Sequence, residues 1–266
     1  MNIAIVTGAS SGMGREFVRQ LTDHVSVDEI WAIARRREAL EALKSESPVP
    51  VRPVVLDLLE TASFSTLEAL LEEEKPNIRL LVNAAGFGKL GAFDRICLSD
   101  DCRMLDLNAK ALVCMTRLCL PYMTRGSHIL ELGSLSAFQS VPYLNTYAAT
   151  KAFVLSYSRG LARELKPRGI RVMALNPGWV RTEFFNHALQ TNAGGEVTHF
   201  SPLMDADYIV RTALRDLYRS GKLSCVPGVQ VKLQVLAVKL LPHSLVMDIW
   251  MRQQKNPKNN QGLTTK

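Results

Sequence analysis

The segment IAIVTGASSGMG, residues 3–14, gives the strongest indication of the fold. Its first four residues form an aliphatic, β-branched run that is typical of a buried strand. Glycines follow at positions 8, 12 and 14, and apolar residues at helical spacing begin directly after them. Glycines between a strand and a helix let the backbone approach a pyrophosphate at the helix N-terminus, although they also serve ordinary tight turns. We therefore predict a dinucleotide-binding unit, and the missing Gly-Lys-Ser/Thr ending argues against a nucleotide-triphosphate loop.

The rest of the chain repeats this alternation of strand and helix. Further strand-like runs are Ile30 to Ala34, Val51 to Leu56, Ile78 to Val82, His128 to Leu132 and Ile170 to Leu175. Helical spacing occurs in Gly14 to His24, Arg37 to Ser45, Ala62 to Glu74, Asp100 to Met123, Asn145 to Lys166 and Asp205 to Ser220. Such alternation predicts an α/β, doubly wound Rossmann fold, a parallel sheet with helices on both faces. We expect one domain over residues 1–254, followed by a disordered polar tail at 255–266.

The composition is that of an ordinary folded domain. The 266 residues are 47% hydrophobic and 21% charged, which argues against disordered, collagen-like and disulfide-scaffold chains. The net charge of +7 is compatible with nucleic acid, an anionic membrane or an anionic small molecule. Because no basic stretch is interleaved with stacking aromatic residues, we expect no nucleic-acid partner.

The five cysteines indicate the redox environment. They form no CxxC pair and lie within apolar segments; they are Cys97, Cys102, Cys114, Cys119 and Cys225. We expect buried, reduced thiols, no metal site and a cytoplasmic location. The apolar run at the start of the sequence is interrupted by glycines too early for a signal peptide. We also expect no integral membrane span, because the sequence has no uncharged apolar stretch of 18 residues.

Three arginines indicate which dinucleotide is bound. Folds of this kind place the discriminating residue at the end of the second strand, where an acidic side chain accepts a hydrogen bond from the ribose 2′-hydroxyl. Here Arg35, Arg36 and Arg37 follow Ala34, and no acid is present. Guanidinium groups bind a 2′-phosphate through charge-assisted hydrogen bonds. The sequence therefore favours NADP(H) over NAD(H), and a solvated basic turn is the alternative interpretation.

A tyrosine and a lysine form the first part of a catalytic hypothesis. Tyr147 and Lys151 stand at i and i+4 of a predicted helix and therefore share one face. A free tyrosine has a pKa of about 10, and lowering it by ~3 units requires roughly 4 kcal/mol of preferential stabilisation of the anion. We expect Lys151 and a positively charged nicotinamide ring to supply it together.

Two further polar residues complete the hypothesis. Ser134 follows the strand-like run that ends at Leu132, so it is expected at the carboxyl edge of the sheet, where ligands bind. Asn108 lies inside a helical stretch, where a buried amide needs a hydrogen-bond partner. Each of these residues alone is common in proteins. Their occurrence together and in this order is specific.

Together these features resemble the short-chain dehydrogenase/reductase family. The resemblance extends over about residues 2–182 and is carried by the glycine turn, Asn83-Ala84-Ala85-Gly86, Asn108, Ser134, Tyr147, Lys151 and Pro177-Gly178-Trp179-Val180-Arg181-Thr182. It implies a seven-stranded Rossmann sheet, nicotinamide-linked interconversion of alcohols and ketones, and a homodimer or homotetramer. One departure is Ala84, where a second consecutive asparagine is commoner.

The resemblance also implies roles for individual residues. Asn108, Ser134, Tyr147 and Lys151 correspond to the catalytic tetrad. The implied cofactor contacts are Gly8, Ser10, Ser11, Gly12, Met13, Gly14, Arg35, Arg36, Asp57, Leu58, Asn83, Ala84, Gly86, Tyr147, Lys151, Pro177, Gly178, Val180 and Thr182. In reduction, the direction that NADPH favours, Ser134 donates to the carbonyl oxygen and Tyr147 supplies its proton. Lys151 holds the nicotinamide ribose, and Asn108 anchors a water that relays protons to Lys151.

Apolar residues predict the substrate side. The candidates are Leu135, Phe138, Leu144, Phe184 and Phe185, with Phe87, Val141, Leu189 and Phe200 near them. Residues 183–204 contain glycines and are expected to form a mobile lid, and about half of the candidates are expected only to pack it. A hydroxysteroid, ketosteroid or long-chain acyl ketone fits these residues better than a sugar. His187 and His199 are interpreted as surface residues without a catalytic role.

The apolar segment 229–252 predicts a C-terminal helical extension, which Pro242 divides into two helices. Its apolar residues must be buried against the lid, another subunit or a membrane surface. We favour the lid or a subunit, because the segment has few charges for an anionic surface to attract. Two other functions stay open: a catalytically silent NADP(H)-binding scaffold or sensor, and a peripheral membrane enzyme that reduces acyl ketones.

Overall fold

A seven-stranded parallel sheet forms the centre of the computed structural model, which describes residues 1–190 and 195–255. The strands of the described part are β1 (Asn2–Thr7), β2 (Glu29–Ala34), β3 (Val51–Val55), β4 (Asn77–Asn83), β5 (His128–Leu132), β6 (Arg171–Leu175), β7 (Trp179–Arg181), β8 (Leu203–Asp205) and β9 (Ser224–Cys225). The sheet order is β3-β2-β1-β4-β5-β6-β9, and β7 pairs separately with β8. The Rossmann fold and all six predicted strands are confirmed. The seventh strand, β9, has two residues, too few to show a pattern.

Helices connect the strands and cover both faces of the sheet. They are α1 (Gly12–Gln20), α2 (Arg37–Ala42), α3 (Thr61–Glu74), α4 (Leu98–Leu105), α5 (Ala111–Cys119), α6 (Asn145–Leu165), α7 (Glu183–Gln190), α8 (Ala206–Arg219), α9 (Val229–Leu240) and α10 (His243–Gln254). The single helix predicted at 100–123 is wrong in detail. A π-helical turn, Asp106–Lys110, separates α4 from α5, and a short 3-10 turn at Leu120–Tyr122 follows because Pro121 cannot continue the α-helical hydrogen bonds.

Alternation along β1 shows why the sheet is buried on both faces. Ala4 and Val6 belong to the apolar cluster on one side, and Ile3 and Ile5 belong to the cluster on the other. All four side chains are fully buried. At roughly 1.5–3 kcal/mol for each fully buried large aliphatic side chain, such strands anchor the scaffold rigidly. The sheet therefore holds its strand ends in fixed relative positions.

The strand order places the ligand site. β1 pairs with β2 on one side and with β4 on the other, so the order of the strands reverses at β1. In open parallel sheets, ligands bind outside the carboxyl ends of the strands at such a reversal. The glycine turn after β1 and the residues that follow β4 and β5 meet at this edge.

Two expectations about the periphery have different outcomes. The predicted division of the C-terminal segment is confirmed, since α9 and α10 flank Pro242. The expectation that all five cysteines are buried is wrong. Cys97 and Cys102 are exposed because α4 is a surface helix whose Met104 alone is buried, while Cys119 and Cys225 are buried in the core. The predicted tail from residue 256 onward lies outside the described residues.

In the described part of the chain, no helix combines the length and the apolar character that crossing a bilayer requires.

Candidate active site

The glycine turn forms one end of the site. Gly8 has a φ of +67°, in the left-handed region that favours glycine. A Cβ on Gly14 would lie 2.2 Å from the carbonyl oxygen of Gly8, so the turn can close only without a side chain there. Ser11 is the N-cap of α1, and its side chain makes no capping hydrogen bond. The first N–H groups of α1 are therefore not capped by this side chain, as an anion-binding helix N-terminus requires.

Two arginines stand beside this turn, as predicted. Arg35 and Arg36 follow β2 and are both largely exposed. The Arg36 guanidinium donates to Ser10 Oγ over 3.2 Å and pairs with Glu183 at 2.9 Å. Arg35 lies 3.9 Å from Asp57. The arginines thus form a basic rim held by neighbouring oxygens, next to the glycine turn.

Ser134, Tyr147 and Lys151 meet where β5 ends. Ser134 is the second residue after β5, and its backbone N–H donates to Asn176 Oδ1 over 3.3 Å. Lys151 is almost fully buried, and its Nζ donates to the Leu132 carbonyl over 2.6 Å. The same Nζ lies 5.6 Å from the centre of the Tyr147 ring. The helical face predicted from i, i+4 spacing therefore points into the site.

The pKa of Tyr147 is shifted in the direction opposite to the expected one. Burial raises the pKa of Tyr147 to about 12, and a hydrogen bond with Ser134 opposes this rise. Burial lowers the pKa of Lys151 to about 8, and Glu131 opposes this fall. The expected lowering of the Tyr147 pKa is therefore absent in the protein alone, because desolvation of the phenolate dominates. At neutral pH Tyr147 is protonated and Lys151 is charged.

Asn108 lies behind the cavity rather than in its wall. It is fully buried on the π-helical turn, and its Nδ2 donates to the Phe87 carbonyl over 2.8 Å and to Thr150 Oγ1 over 3.2 Å. Its Oδ1 accepts from the Phe87 backbone N–H over 3.0 Å. The amide thus has the partners that its burial requires. It fixes the loop after β4 against α6, which carries Tyr147 and Lys151.

A single large cavity of about 760 Å³ joins these groups. The predicted residues that line it are Gly8, Ser10, Ser11, Gly12, Met13, Gly14, Arg35, Arg36, Asp57, Leu58, Ala84, Gly86, Ser134, Leu135, Leu144, Tyr147, Lys151, Pro177, Gly178, Val180, Thr182, Phe184 and Phe185. The glycine turn, the arginine rim and the catalytic candidates therefore share one space.

Two predicted contacts are corrected. Asn83 is buried below the cavity floor, where its Nδ2 donates to Thr116 Oγ1 over 3.0 Å. Phe138 lies outside this cavity, with Arg159 and Lys239 above its ring at 5.9 and 5.6 Å from the centre. Strand alternation directs the Asn83 side chain to the face of the sheet that α5 covers, and cation–π contacts hold Phe138 against α6 and α9.

The C-terminal helices α9 and α10 form much of the opposite wall of the cavity. The sequence predicted these helices but did not identify any of their residues as part of the site. Their cavity-lining side chains are Gln234, Ala237, Val238, Leu241, Val246, Ile249, Trp250 and Gln253, where Leu241 joins the two helices. Trp250 Nε1 donates to the Pro142 carbonyl over 3.0 Å. Gln254 Oε1 accepts from the backbone N–H groups of Thr198 and His199 over 2.9 and 3.0 Å. The apolar pattern of residues 229–252 predicted that this segment is buried, but it did not predict which of its side chains face the cavity.

The region predicted as a lid begins with α7. Phe184 lies beside Tyr147, with ring centres 5.8 Å apart, whereas Phe185 packs edge-on against Trp179 and Phe200. Leu189 and Phe200 pack on the neighbouring apolar cluster and do not line the cavity. His187 and His199 line the cavity as well; His187 is exposed, as its interpretation as a surface residue predicted, and His199 is half-buried. Residues 191–194, part of the predicted lid, lie outside the described residues.

Comparison with known proteins agrees with this geometry. The family model described as short chain dehydrogenase matches residues 2–193. Among curated relatives, an NADP-dependent 3-hydroxy acid dehydrogenase, YdfG of Salmonella typhi, is 36% identical over 188 residues, covering 68% of this chain and 74% of the relative. The matched family region ends before α9 and α10.

Solved structures extend the similarity over nearly the whole chain. A short-chain dehydrogenase from Sphingobium yanoikuyae in complex with NADPH is 29% identical with a TM-score of 0.76, covering 93% of this chain and 96% of that chain. A bulky-bulky ketone specific alcohol dehydrogenase from Comamonas testosteroni is 26% identical with a TM-score of 0.71, covering 92% and 94%. The similarity therefore includes a protein with NADPH bound and one specific for bulky ketones.

Proposed function

The chain belongs to the short-chain dehydrogenase/reductase family, and on that premise we propose that it is an NADP(H)-dependent oxidoreductase that interconverts a secondary alcohol and a bulky apolar ketone. One observation carries the proposal. The cavity that contains Tyr147 and Lys151 has a glycine turn and basic rim at one end and an apolar wall at the other. A dinucleotide fits the first end and an apolar substrate fits the second.

The residues at the basic end fit NADP(H). The N-terminus of α1 has no side-chain cap, and the close approach of Gly14 to Gly8 leaves backbone free to face a pyrophosphate. Arg35 and Arg36 would hold the 2′-phosphate, and Lys151 would hold the nicotinamide ribose. This agrees with the NADP dependence named for the Salmonella relative and the NADPH in the Sphingobium structure. When bound, NADPH supplies the hydride for the carbonyl carbon.

Residues of the chain itself stabilise the carbonyl oxygen and supply its proton. Ser134 donates a hydrogen bond to that oxygen and stabilises the negative charge that develops on it. Tyr147, protonated because its pKa is about 12, gives its hydroxyl proton to the same oxygen. The Lys151 ammonium, 5.6 Å from the Tyr147 ring centre, stabilises the phenolate that remains. Asn108 positions the loop and helix on either side, and a water relay from it to Lys151 stays a prediction.

An apolar wall supports the choice of substrate. Leu144, Phe184, Val246, Ile249 and Trp250 line the cavity together with Tyr147. Cavities of several hundred cubic ångströms with mostly apolar walls and a few polar groups suit drug-sized ligands. A ketosteroid or an aryl or long-chain ketone would contact these side chains. The named specificity of the Comamonas neighbour for bulky ketones supports the same choice.

A 3-hydroxy acid is the second candidate substrate. It is favoured by the name of the Salmonella relative and by Lys89 and Arg103, which line the cavity. Lys89 pairs with Asp100 at 3.2 Å, so Arg103 is the better group for a substrate carboxylate. A cytoplasmic location and a homodimeric or homotetrameric assembly stay predictions.

The test is NADPH oxidation with a panel of ketosteroids, aryl ketones and short 3-oxo acids. We expect kcat/KM for the best bulky ketone to exceed that of the short acids by more than tenfold, about 1.4 kcal/mol. A preference for the short acids would reverse the substrate assignment. Absence of NADPH binding would overturn the proposed function as a whole.

A further inference from the structure

A carboxyl group lies buried in the centre of the sheet. Glu131 is on β5, directly opposite Asn83 of β4, and its side chain is fully buried. Ionised carboxylates are costly in such surroundings unless they are paired with a cation or fully hydrogen-bonded. The roles proposed above for the neighbouring Ser134, Tyr147 and Lys151 do not use this group. Its protonation state therefore needs a separate explanation.

The hydrogen-bond inventory indicates that Glu131 carries a proton. Thr116 Oγ1 lies within hydrogen-bond distance of Asn83 Nδ2 at 3.0 Å, the Leu112 carbonyl at 2.8 Å and Glu131 Oε1 at 3.0 Å. The Tyr157 side chain also interacts with Thr116. The amide can only donate to this oxygen, and the carbonyl can only accept from it. A hydroxyl has one hydrogen, so Thr116 cannot donate fully to the Leu112 carbonyl and to Glu131 at the same time. A proton on Glu131 would supply the second hydrogen that these two contacts call for.

Two other buried oxygens show the same shortage of hydrogens. Glu131 Oε2 and Asn83 Oδ1 have no hydrogen-bond partner within the described part of the chain. An added proton on the carboxyl group removes the charge whose burial is costly. Burial raises the pKa of Glu131 to about 7, although Asn83, Thr116 and Lys151 each lower it. The proton is therefore exchangeable near neutral pH.

The position of Glu131 connects it with the catalytic lysine. The next residue, Leu132, supplies the carbonyl that accepts from Lys151 Nζ over 2.6 Å. Lys151 is itself almost fully buried, so a negative charge near it has a strong effect on its ammonium. We propose that Glu131 is a positioning residue, a buried acid that stores a proton behind the site and, when ionised, keeps the Lys151 ammonium charged. This inference rests on the proposed function.

The groups that face Glu131 determine how it titrates. Asn83 on β4 and Thr116 on α5 are neutral, and Lys151 on α6 favours the carboxylate. Burial raises the pKa of Cys119 on α5 and of Tyr157 on α6, and the charge of Glu131 raises both further. Both are therefore uncharged near pH 7, and Lys151 is the cation that ionised Glu131 meets.

The first test observes the proton directly. Infrared spectra of the protein without cofactor should contain the C=O stretch of a buried protonated carboxyl group at pH 6. The band should weaken as the pH rises through about 7 and should be missing in Glu131→Gln. A spectrum of the wild type without this band at pH 6 would overturn the assignment.

The second test measures the effect on Lys151 through the dissociation constant of NADPH as a function of pH. In the wild type, binding should weaken above about pH 8, where Lys151 loses its proton. In Glu131→Gln the weakening should begin about 1 pH unit lower, since an opposite charge shifts a neighbouring pKa by about 1–3 units. An unchanged profile in the folded variant would overturn the proposal.

Two further variants and one combined outcome distinguish this role of Glu131 from a purely structural role and from the proposed function. Glu131→Met removes the charge without a polar replacement and should give the same profile as Glu131→Gln, so it serves if the amide variant does not fold. Glu164→Gln removes an exposed carboxylate from α6, the helix of Lys151, and should leave the profile unchanged. If the band and the shifted profile are observed but no ketone is reduced, the proposed function fails and the role of Glu131 in NADPH binding stands.

Discussion

The two ends of the cavity are built from different parts of the chain. The basic end consists mainly of backbone at strand ends, with the Gly8 and Gly14 turn as its centre. The apolar end consists mainly of side chains, many of them from α9 and α10, which come after the last strand of the central sheet. Backbone held by a rigid sheet admits little variation, whereas side chains on peripheral helices can be exchanged. We infer that the first end fixes the cofactor and the second selects the substrate.

The largest expected effect is on kcat, at Tyr147, which lies between the basic end and the apolar end of the cavity. Tyr147→Phe removes the transferable proton but keeps the ring beside Phe184, so kcat should fall at least 100-fold while NADPH affinity stays unchanged. Steady-state kinetics and fluorescence titration of NADPH check the two parts. Tyr208→Phe, at an exposed tyrosine on α8, is the control and should leave kcat intact. Retention of more than about a tenth of kcat would contradict the role of Tyr147.

Gly14→Ala tests the backbone-built end. The added Cβ would meet the Gly8 carbonyl oxygen at 2.2 Å, and relief of this clash must open the turn. Overpacking of this kind costs about 1–3 kcal/mol, so NADPH affinity should fall by roughly tenfold or more. Isothermal titration measures the effect.

Gly160→Ala provides the matched control, because a Cβ at this position on α6 meets no atom within 4 Å. Equal NADPH affinities of the two alanine variants would show that the turn adapts, and the distinction between the two ends would be weakened.

Arg35→Asp tests the basic rim. Removal of a charge-assisted hydrogen bond worth about 1.5–3 kcal/mol should reduce the preference for NADPH over NADH by about tenfold or more at low salt. The ratio of kcat/KM values for the two cofactors is the measurement. Arg37→Asp makes the same charge change at a position that does not line the cavity and should alter the ratio much less. Identical ratios in the two variants would indicate only a general effect of charge.

Ile249→Ala tests the exchangeable end and should have the smallest effect. Ile249 lines the cavity but is 39% exposed, so its truncation should raise KM for a bulky ketone only a few-fold and leave NADPH affinity unchanged. Leu233→Ala on α9, at an exposed residue outside the cavity wall, is the control. A loss of NADPH affinity in Ile249→Ala would mean that the two ends are coupled.

Local patterns in the sequence predicted much of the fold and the centre of the site. Strand-like runs located six strands of the central sheet, and Pro242 located the boundary between α9 and α10. The spacing of Tyr147 and Lys151 placed both on one helical face that points into the cavity. Each of these features depends on residues within a few positions of one another. The geometry of a helix, a strand or a turn fixes the relative positions of such residues.

Tertiary structure decided what depends on partners distant in the sequence. It turned Asn83 toward Thr116, held Phe138 beneath Arg159 and Lys239, and raised the pKa of Tyr147 by burial. It also brought the C-terminal helices across the cavity. The strand and helix periods, the glycine turn and the order of the catalytic candidates all follow from local residues. Side-chain direction and desolvation required the packed fold, because they depend on which surfaces meet rather than on the local pattern.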